Sequence, residues 1–150
     1  MVNYSKFIWI ILILTFLDLL TKFFFKGKNL ILIPKILYIS YSQNPGILFG
    51  LFSNNFLVTV ILPLIIIIIF IYYFIKQKTL LVPIAFIIAG LLGNLVDRLI
   101  HSFVIDFIFI PIIPQYNISL FNLADLSLVI GVVLILYKEI KSSSHKHLSS

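Results

Sequence analysis

The sequence predicts an all-α membrane protein, a four-transmembrane-helix bundle with a small β-structured platform at one end. Three observations predict it. The mean hydropathy is +1.18, with 61% hydrophobic and 11% charged residues, far from the balance of a soluble domain. Four runs, 7–25, 56–75, 80–99 and 120–137, reach or approach the roughly 20 apolar residues that cross a bilayer as a helix. Between the first two, Leu37-Tyr38-Ile39-Ser40-Tyr41-Ser42 roughly alternates apolar and polar residues, a strand signal. Four spans and their connections leave no room for a second domain, so residues 1–150 are read as one integral-membrane unit.

The first run passes straight into Phe23-Phe24-Phe25 with no small-residue cleavage site, so it is read as a span and not as a cleaved leader. Asp18 and Lys22 are four apart within it and face the same way. After the strand signal, Asn44-Pro45-Gly46 reads as a turn, with proline fixing φ and glycine supplying a positive φ. Leu48-Phe49-Gly50-Leu51-Phe52 then forms an interfacial apolar segment. It is either a loop resting on lipid headgroups or part of a platform that holds an amphipathic substrate.

The second run is uncharged and aliphatic, with Pro63 placed to kink it; its expected role is lipid-facing scaffold. In the third, Gly90, Gly93, Asn94 and Asp97 make one helical stripe, turned toward the bundle interior, and Arg98 follows four residues after Asn94. A loop, 100–119, carries Val104-Ile105-Asp106-Phe107, Pro111 and Pro114. The fourth run opens with Phe121-Asn122-Leu123-Ala124-Asp125. A helix starting at Leu120 puts Asp125 roughly 8 Å along its axis, with Asn122 on the same face. The tail, 141–150, is expected to be disordered, with His145 and His147 solvated and not holding a metal.

Charge sets orientation and excludes partners. The net charge of +6 is spread around the spans with no aromatic-basic recognition motif, so no nucleic acid is expected. With four spans, Lys6, Lys76, Lys78, Lys138, Lys141 and Lys146 lie on one side. Lys22, Lys26, Lys28, Lys35 and Arg98 lie on the other. The first group sits in shorter segments, which puts both termini in the cytoplasm. The absence of cysteine excludes disulfides, thiolate catalysis and Cys-ligated zinc or iron–sulfur centres.

Four of the five acidic residues, Asp18, Asp97, Asp106 and Asp125, lie in or beside apolar runs. An aspartate at a membrane helix centre costs about 2.5–3.5 kcal/mol on insertion scales, so intramembrane carboxylates point to function. Four spans put all of them at the same membrane face. Two aspartates in a low-dielectric site share a proton; one activates water while the other polarises a carbonyl. Asp18 and Asp97 have cationic neighbours in Lys22 and Arg98, which suits orienting roles. Asp106 and Asp125 have none nearby and are the candidate catalytic pair, with a structural polar core as the alternative.

A proton-coupled transporter would need polar residues through to the other face, and the inner halves of the spans lack them. An assembly factor would explain the helices and some polar glue but leaves two unpaired carboxylates unexplained. A serine mechanism at His101-Ser102 would pair adjacent loop residues with no nucleophile elbow. His101 reads better as a polar rim residue.

Five blocks then carry a resemblance: Asp18-Leu-Leu-Thr-Lys22, Asn44-Pro-Gly46-Ile-Leu-Phe49-Gly50, Gly93-Asn94-Leu-Val-Asp97-Arg98, Val104-Ile-Asp106-Phe107 and Phe121-Asn122-Leu-Ala124-Asp125. In that order, on a four-span chain, they resemble lipoprotein signal peptidase (signal peptidase II). The resemblance implies an intramembrane aspartyl endopeptidase of the bacterial inner membrane, with a small extracytoplasmic β-cradle and its site near the outer face. It implies cleavage of prolipoproteins just before a diacylglyceryl-modified cysteine, with membrane lipids as surroundings, no cofactor and no metal, in a monomer. It implies Asp106 and Asp125 as catalytic, Asn44, Gly46, Asn94, Arg98 and Asn122 as substrate contacts, and Asp18 with Lys22 as a structural polar pair. The chain departs from the family pattern at Ile47 and Leu48, where small residues are usual, and at Ala89-Gly90, where two glycines are common.

Overall fold

The computed structural model describes residues 4–47, 51–53, 55–76, 80–111 and 120–148, and of residues 143–148 only the backbone. Helix α1, Tyr4–Phe25, is apolar almost all round and buries little beyond Phe7, Asp18 and Lys22. It ends where Gly27 takes a φ of +74°, the left-handed conformation that glycine adopts without penalty beyond a helix C-terminus. At the other end Phe7 stacks on Phe74 with ring centroids 3.8 Å apart, clasping α1 to the second helix.

That second helix begins with a π-helical turn, Leu57–Ile61, and continues as α2, Leu62–Lys76. The Leu62 N–H donates to Leu57 O, five residues back. Pro63 accounts for the wide turn: it has no N–H for the carbonyl four residues earlier, and its ring crowds that carbonyl.

Helix α3, Leu81–His101, is the centre of the bundle and packs against α1, α2 and the fourth helix. Its buried stripe includes Gly90, Gly93, Asn94 and Asp97, as the spacing requires. A methyl group on Gly90 would strike Ala124 O and the Leu128 side chain, so the missing Cβ is what lets α3 and the fourth helix close up. Ser102, at φ +66°, donates its N–H to Arg98 O at 3.0 Å and ends α3 abruptly.

The chain turns directly into β3, Val104–Phe109, so Asp106 stands on a strand and not in the predicted loop. Strand β3 pairs with β2, Leu37–Asn44, which pairs in turn with β1, Asn29–Ile33; β4, Leu120–Phe121, closes the far side. All pairings are antiparallel, in the order β1-β2-β3-β4. The register sets Ser42 opposite Asp106 and Asn44 opposite Val104.

Helix α4 runs Leu123–Leu148. It starts three residues later than the apolar run suggested, because Leu120 and Phe121 are used as strand. It also continues through most of the tail expected to be disordered: after Tyr137 no glycine or proline stops it, and Lys138-Glu139-Ile140-Lys141 are serviceable helix formers. Among the described residues, three helical stretches, Tyr4–Phe25, Leu57–Lys76 and Leu81–His101, are long and apolar enough to cross a membrane. The segments 48–50, 77–79 and 112–119, with part of the interfacial run, the Gln77-Lys78 loop and Pro114, lie outside the described residues, as do the side chains of His145, Lys146 and His147.

Candidate active site

Helix α4 begins with a reciprocal cap. Asn122 Oδ1 accepts the Asp125 N–H at 2.9 Å, and Asp125 Oδ2 accepts the Asn122 N–H at 3.3 Å. This is a capping box with asparagine at the N-cap and aspartate three residues on. Asp125 therefore sits in the first turn of α4, not about 8 Å along it, with its carboxylate at the positive end of the helix dipole. The intervening amide, Ala124 N–H, is taken by Asp18 Oδ1 at 2.8 Å.

The cap leaves only one way to use the other end of the Asn122 carboxamide. Its Nδ2 donates to Asp106 Oδ1 at 2.7 Å, with longer contacts to Asn94 Oδ1 at 3.1 Å and Ile105 O at 3.3 Å. Asn44 Nδ2 donates to the second Asp106 oxygen at 3.1 Å. Asn94 Nδ2 donates to Asp125 Oδ1 at 2.8 Å. One asparagine thus touches both candidate catalytic residues, and two more hold one each.

Behind them lies a buried charge cluster. Lys22 Nζ is 2.7 Å from Asp18 Oδ2, 3.1 Å from Asp97 Oδ2 and 3.0 Å from Asn94 Oδ1. Asp97 Oδ2 also accepts the Ile105 N–H at 3.0 Å. Asp97 pairs with Lys22, not with the adjacent Arg98, since neighbouring residues on a helix point apart. Gly93 makes room for the cluster: a methyl group there would be driven into the Asp18 carboxylate. His101 sits at the rim, with Nδ1 3.8 Å from Asp97 Oδ1 and Nε2 3.4 Å from Lys26 Nζ.

The predicted turn is closed by a side chain: Asn44 Oδ1 accepts the Gly46 N–H at 3.1 Å. Arg98 Nη2 donates to Gly46 O at 2.8 Å, tying the turn to α3.

Five of these polar residues, Asn44, Asn94, Arg98, Asp106 and Asp125, line a cavity of about 410 Å³. Its other walls are apolar, from Val58, Leu62, Pro63 and Ile66 of the second helix to Leu91 of α3 and Leu128 of α4. The second helix is therefore more than scaffold; Pro63, read only as a kink, marks where it turns a face inward. Asp106 is 3% exposed. Burial and the neighbouring Asp125 charge push its pKa up to about 7, against the pull of the Asn44 and Asn122 hydrogen bonds. A proton shared near neutrality is what water activation at a paired-carboxylate site requires.

Every sequence-predicted site residue thus falls in one connected group. Asn122 is 0% exposed, and both ends of its amide are engaged within the protein, Oδ1 with the Asp125 N–H and Nδ2 chiefly with Asp106.

A largely apolar cavity with two carboxylates in its wall, each held by asparagine groups, belongs with the aspartic-type membrane peptidases. Comparison with known proteins carries this to the family. The model for signal peptidase (SPase) II matches residues 10–141, and the chain belongs to that family. It is similar to the lipoprotein signal peptidase of Clostridium tetani (strain Massachusetts / E88), 30% identical over 124 residues and 80% of each chain. It is 33% identical to that of Clostridium novyi (strain NT), covering 73% of this chain and 76% of the relative. It is 36% identical to that of Staphylococcus carnosus (strain TM300), covering 73% and 71%. A solved bacterial membrane enzyme, determined in meso at 2.3 Å, superposes with a TM-score of 0.88 at 33% identity, over 96% of this chain and 93% of the other. A second, at 1.9 Å, gives 0.82 at 33% identity, over 93% and 95%. The protein is an aspartic-type signal peptidase II of the bacterial inner membrane.

Proposed function

We propose that this chain removes signal peptides from diacylglyceryl-modified prolipoproteins, cutting just before the lipidated cysteine. The observation that carries the reading is the sharing of one cavity by Asp106 and Asp125, with both held by Asn122. In this reading α4 is a fourth span through its apolar part, both termini are cytoplasmic, and the cavity opens near the outer face of the membrane. One chain contains the whole site and works as a monomer.

The acyl chains of the substrate stay in lipid against the apolar wall, while Arg98, Asn44 and the Gly46 turn receive its backbone. Asp106 holds the proton, donates it in a hydrogen bond to the scissile carbonyl oxygen and passes it to that oxygen as water adds. Asp125 removes a proton from water as the water oxygen bonds to that carbonyl carbon. The tetrahedral diol collapses when the proton on Asp125 passes to the leaving nitrogen and the C–N bond breaks. The new carboxyl group returns a proton to Asp106. No covalent intermediate forms.

The test is cleavage by the purified protein in detergent, with a diacylglyceryl-modified precursor and its unmodified twin read by mass spectrometry. The modified precursor alone is expected to be cut, immediately before its lipidated residue. Asp106→Asn and Asp125→Asn should each abolish the cut while inserting normally. Cleavage retained in either variant removes that carboxylate from the mechanism.

A further inference from the structure

Lys22 does not line the cavity and is 1% exposed. A solitary ion pair would need nothing more of it than charge balance. The contacts around it do more than balance charge. A lysine ammonium has three N–H donors and no acceptor, and its three neighbours are Asp18 Oδ2, Asp97 Oδ2 and Asn94 Oδ1. Each of these three leads on to the same place. Asp18 accepts the backbone N–H of Ala124, the residue before Asp125. Asp97 accepts the backbone N–H of Ile105, the residue before Asp106. Asn94 donates to Asp125 itself.

We infer that Lys22 is a positioning residue for the peptidase reaction, acting through Asn94 and through the two backbone amides that precede the paired aspartates. The inference rests on the reading of Asp106 and Asp125 as the reacting pair. Its chemical content lies in Asn94. A carboxamide can present either end, and the wrong end would set a carbonyl oxygen against the Asp125 carboxylate. A donor-only neighbour on the oxygen side forbids that orientation. Asn122 Nδ2 also reaches Asn94 Oδ1, at 3.1 Å, but shares its hydrogens with Asp106 and Ile105 O. Lys22 therefore fixes which end of Asn94 faces the dyad, while its two carboxylate partners hold strand β3 and the start of α4 in register with each other.

A double-mutant cycle tests this with the lipidated precursor, using wild type, Lys22→Met, Asn94→Ala and the double variant. Misplacing a reacting group by about 1 Å costs on the order of 100-fold in rate. Lys22→Met is expected to lose about that factor in kcat, with KM changed by less than about 3-fold. In the Asn94→Ala background the same change should cost less than about 3-fold, because the main route is already cut. Thermal unfolding in detergent identifies the folded variants. Where Lys22→Met does not accumulate, Lys22→Gln with Asp97→Asn removes one charge of each sign and enters the cycle in its place. Folded variants that keep kcat, or losses that multiply across the cycle, overturn the inference and leave the peptidase reading standing. Failure of wild type to cut the precursor brings down both.

Discussion

Asp106 is the residue whose environment makes the sharpest claim. It accepts two side-chain N–H bonds, each of which favours the ionised form, and still its pKa is raised to about 7. Burial and the Asp125 charge therefore outweigh both donors. If the protonated form polarises the carbonyl, raising pH through about 7 removes the acid, so kcat should fall on the alkaline side of that value. The pH–rate profile from pH 5 to 9 checks it. Asn44→Ala deletes a donor to the ionised form, and its alkaline limb should move to higher pH; a limb that stays put detaches Asp106 from the profile. Stability has a related sign. The folded pKa lies above the ordinary 3.8, so the protein binds the extra proton when folded. The associated stability is complete below pH 3.8 and lost as pH rises through about 7. The whole span corresponds to about 4 kcal/mol at most, and Asp106→Asn should flatten that slope in melts taken between pH 5 and 8.

At the scale of elements, the start of α4 does two jobs with the same atoms. Replacing an N-cap asparagine by alanine ordinarily costs about 1 kcal/mol, a small change in melting temperature. Here the same substitution, Asn122→Ala, also strips a donor from Asp106 and unclamps Asp125. Activity should fall on the order of 100-fold or more, far out of proportion to the stability loss; matched losses would mean the cap is only a cap. Pro63 permits a second test. Pro63→Ala restores a backbone N–H and favours a regular helix through 57–61, which rotates Val58 and Leu62 in the cavity wall. KM for the lipidated precursor should rise several-fold with kcat little changed.

These elements also show what could be read from the chain. The carboxylate pair was legible because charge in an apolar run is costly and neither residue had a cation close by. Strand β2 was legible because its two faces differ in polarity. Strand β3 was not: Val104, Ile105, Asp106 and Phe107 are all buried, and a strand buried on both faces shows no alternation. Leu120 and Phe121 were absorbed into a helical run because two apolar residues suit either structure. The division of labour among Asn44, Asn94 and Asn122 depends on which amide end faces which neighbour, and spacing along the chain carries no such information.

For the whole molecule, the proposed cleavage divides recognition of a lipidated substrate between the cavity and the bilayer. Many large apolar side chains on α1 and α2 are exposed, Phe16 at 63% and Ile68 at 65% among them, so lipid is the solvent along the bundle. An acyl chain passing from lipid to the cavity wall exchanges one hydrocarbon surface for another. The hydrophobic gain of about 0.8 kcal/mol per CH₂ applies to transfer out of water, and between lipid and protein it nearly vanishes. Acyl length should therefore matter little: precursors with chains of 12 and 16 carbons are expected to differ by less than about 10-fold in kcat/KM, where full transfer from water would give far more. Removing the diacylglyceryl group is different. It takes the scissile bond from the membrane plane and gives up the high local concentration that confinement provides, so cleavage should fall below detection. The comparison needs one peptide with three anchors, assayed in bilayer discs. A steep dependence on chain length would mean that the cavity itself grips the acyl chains, and the apolar wall built from Val58, Leu62 and Ile66 would then be a binding surface in its own right.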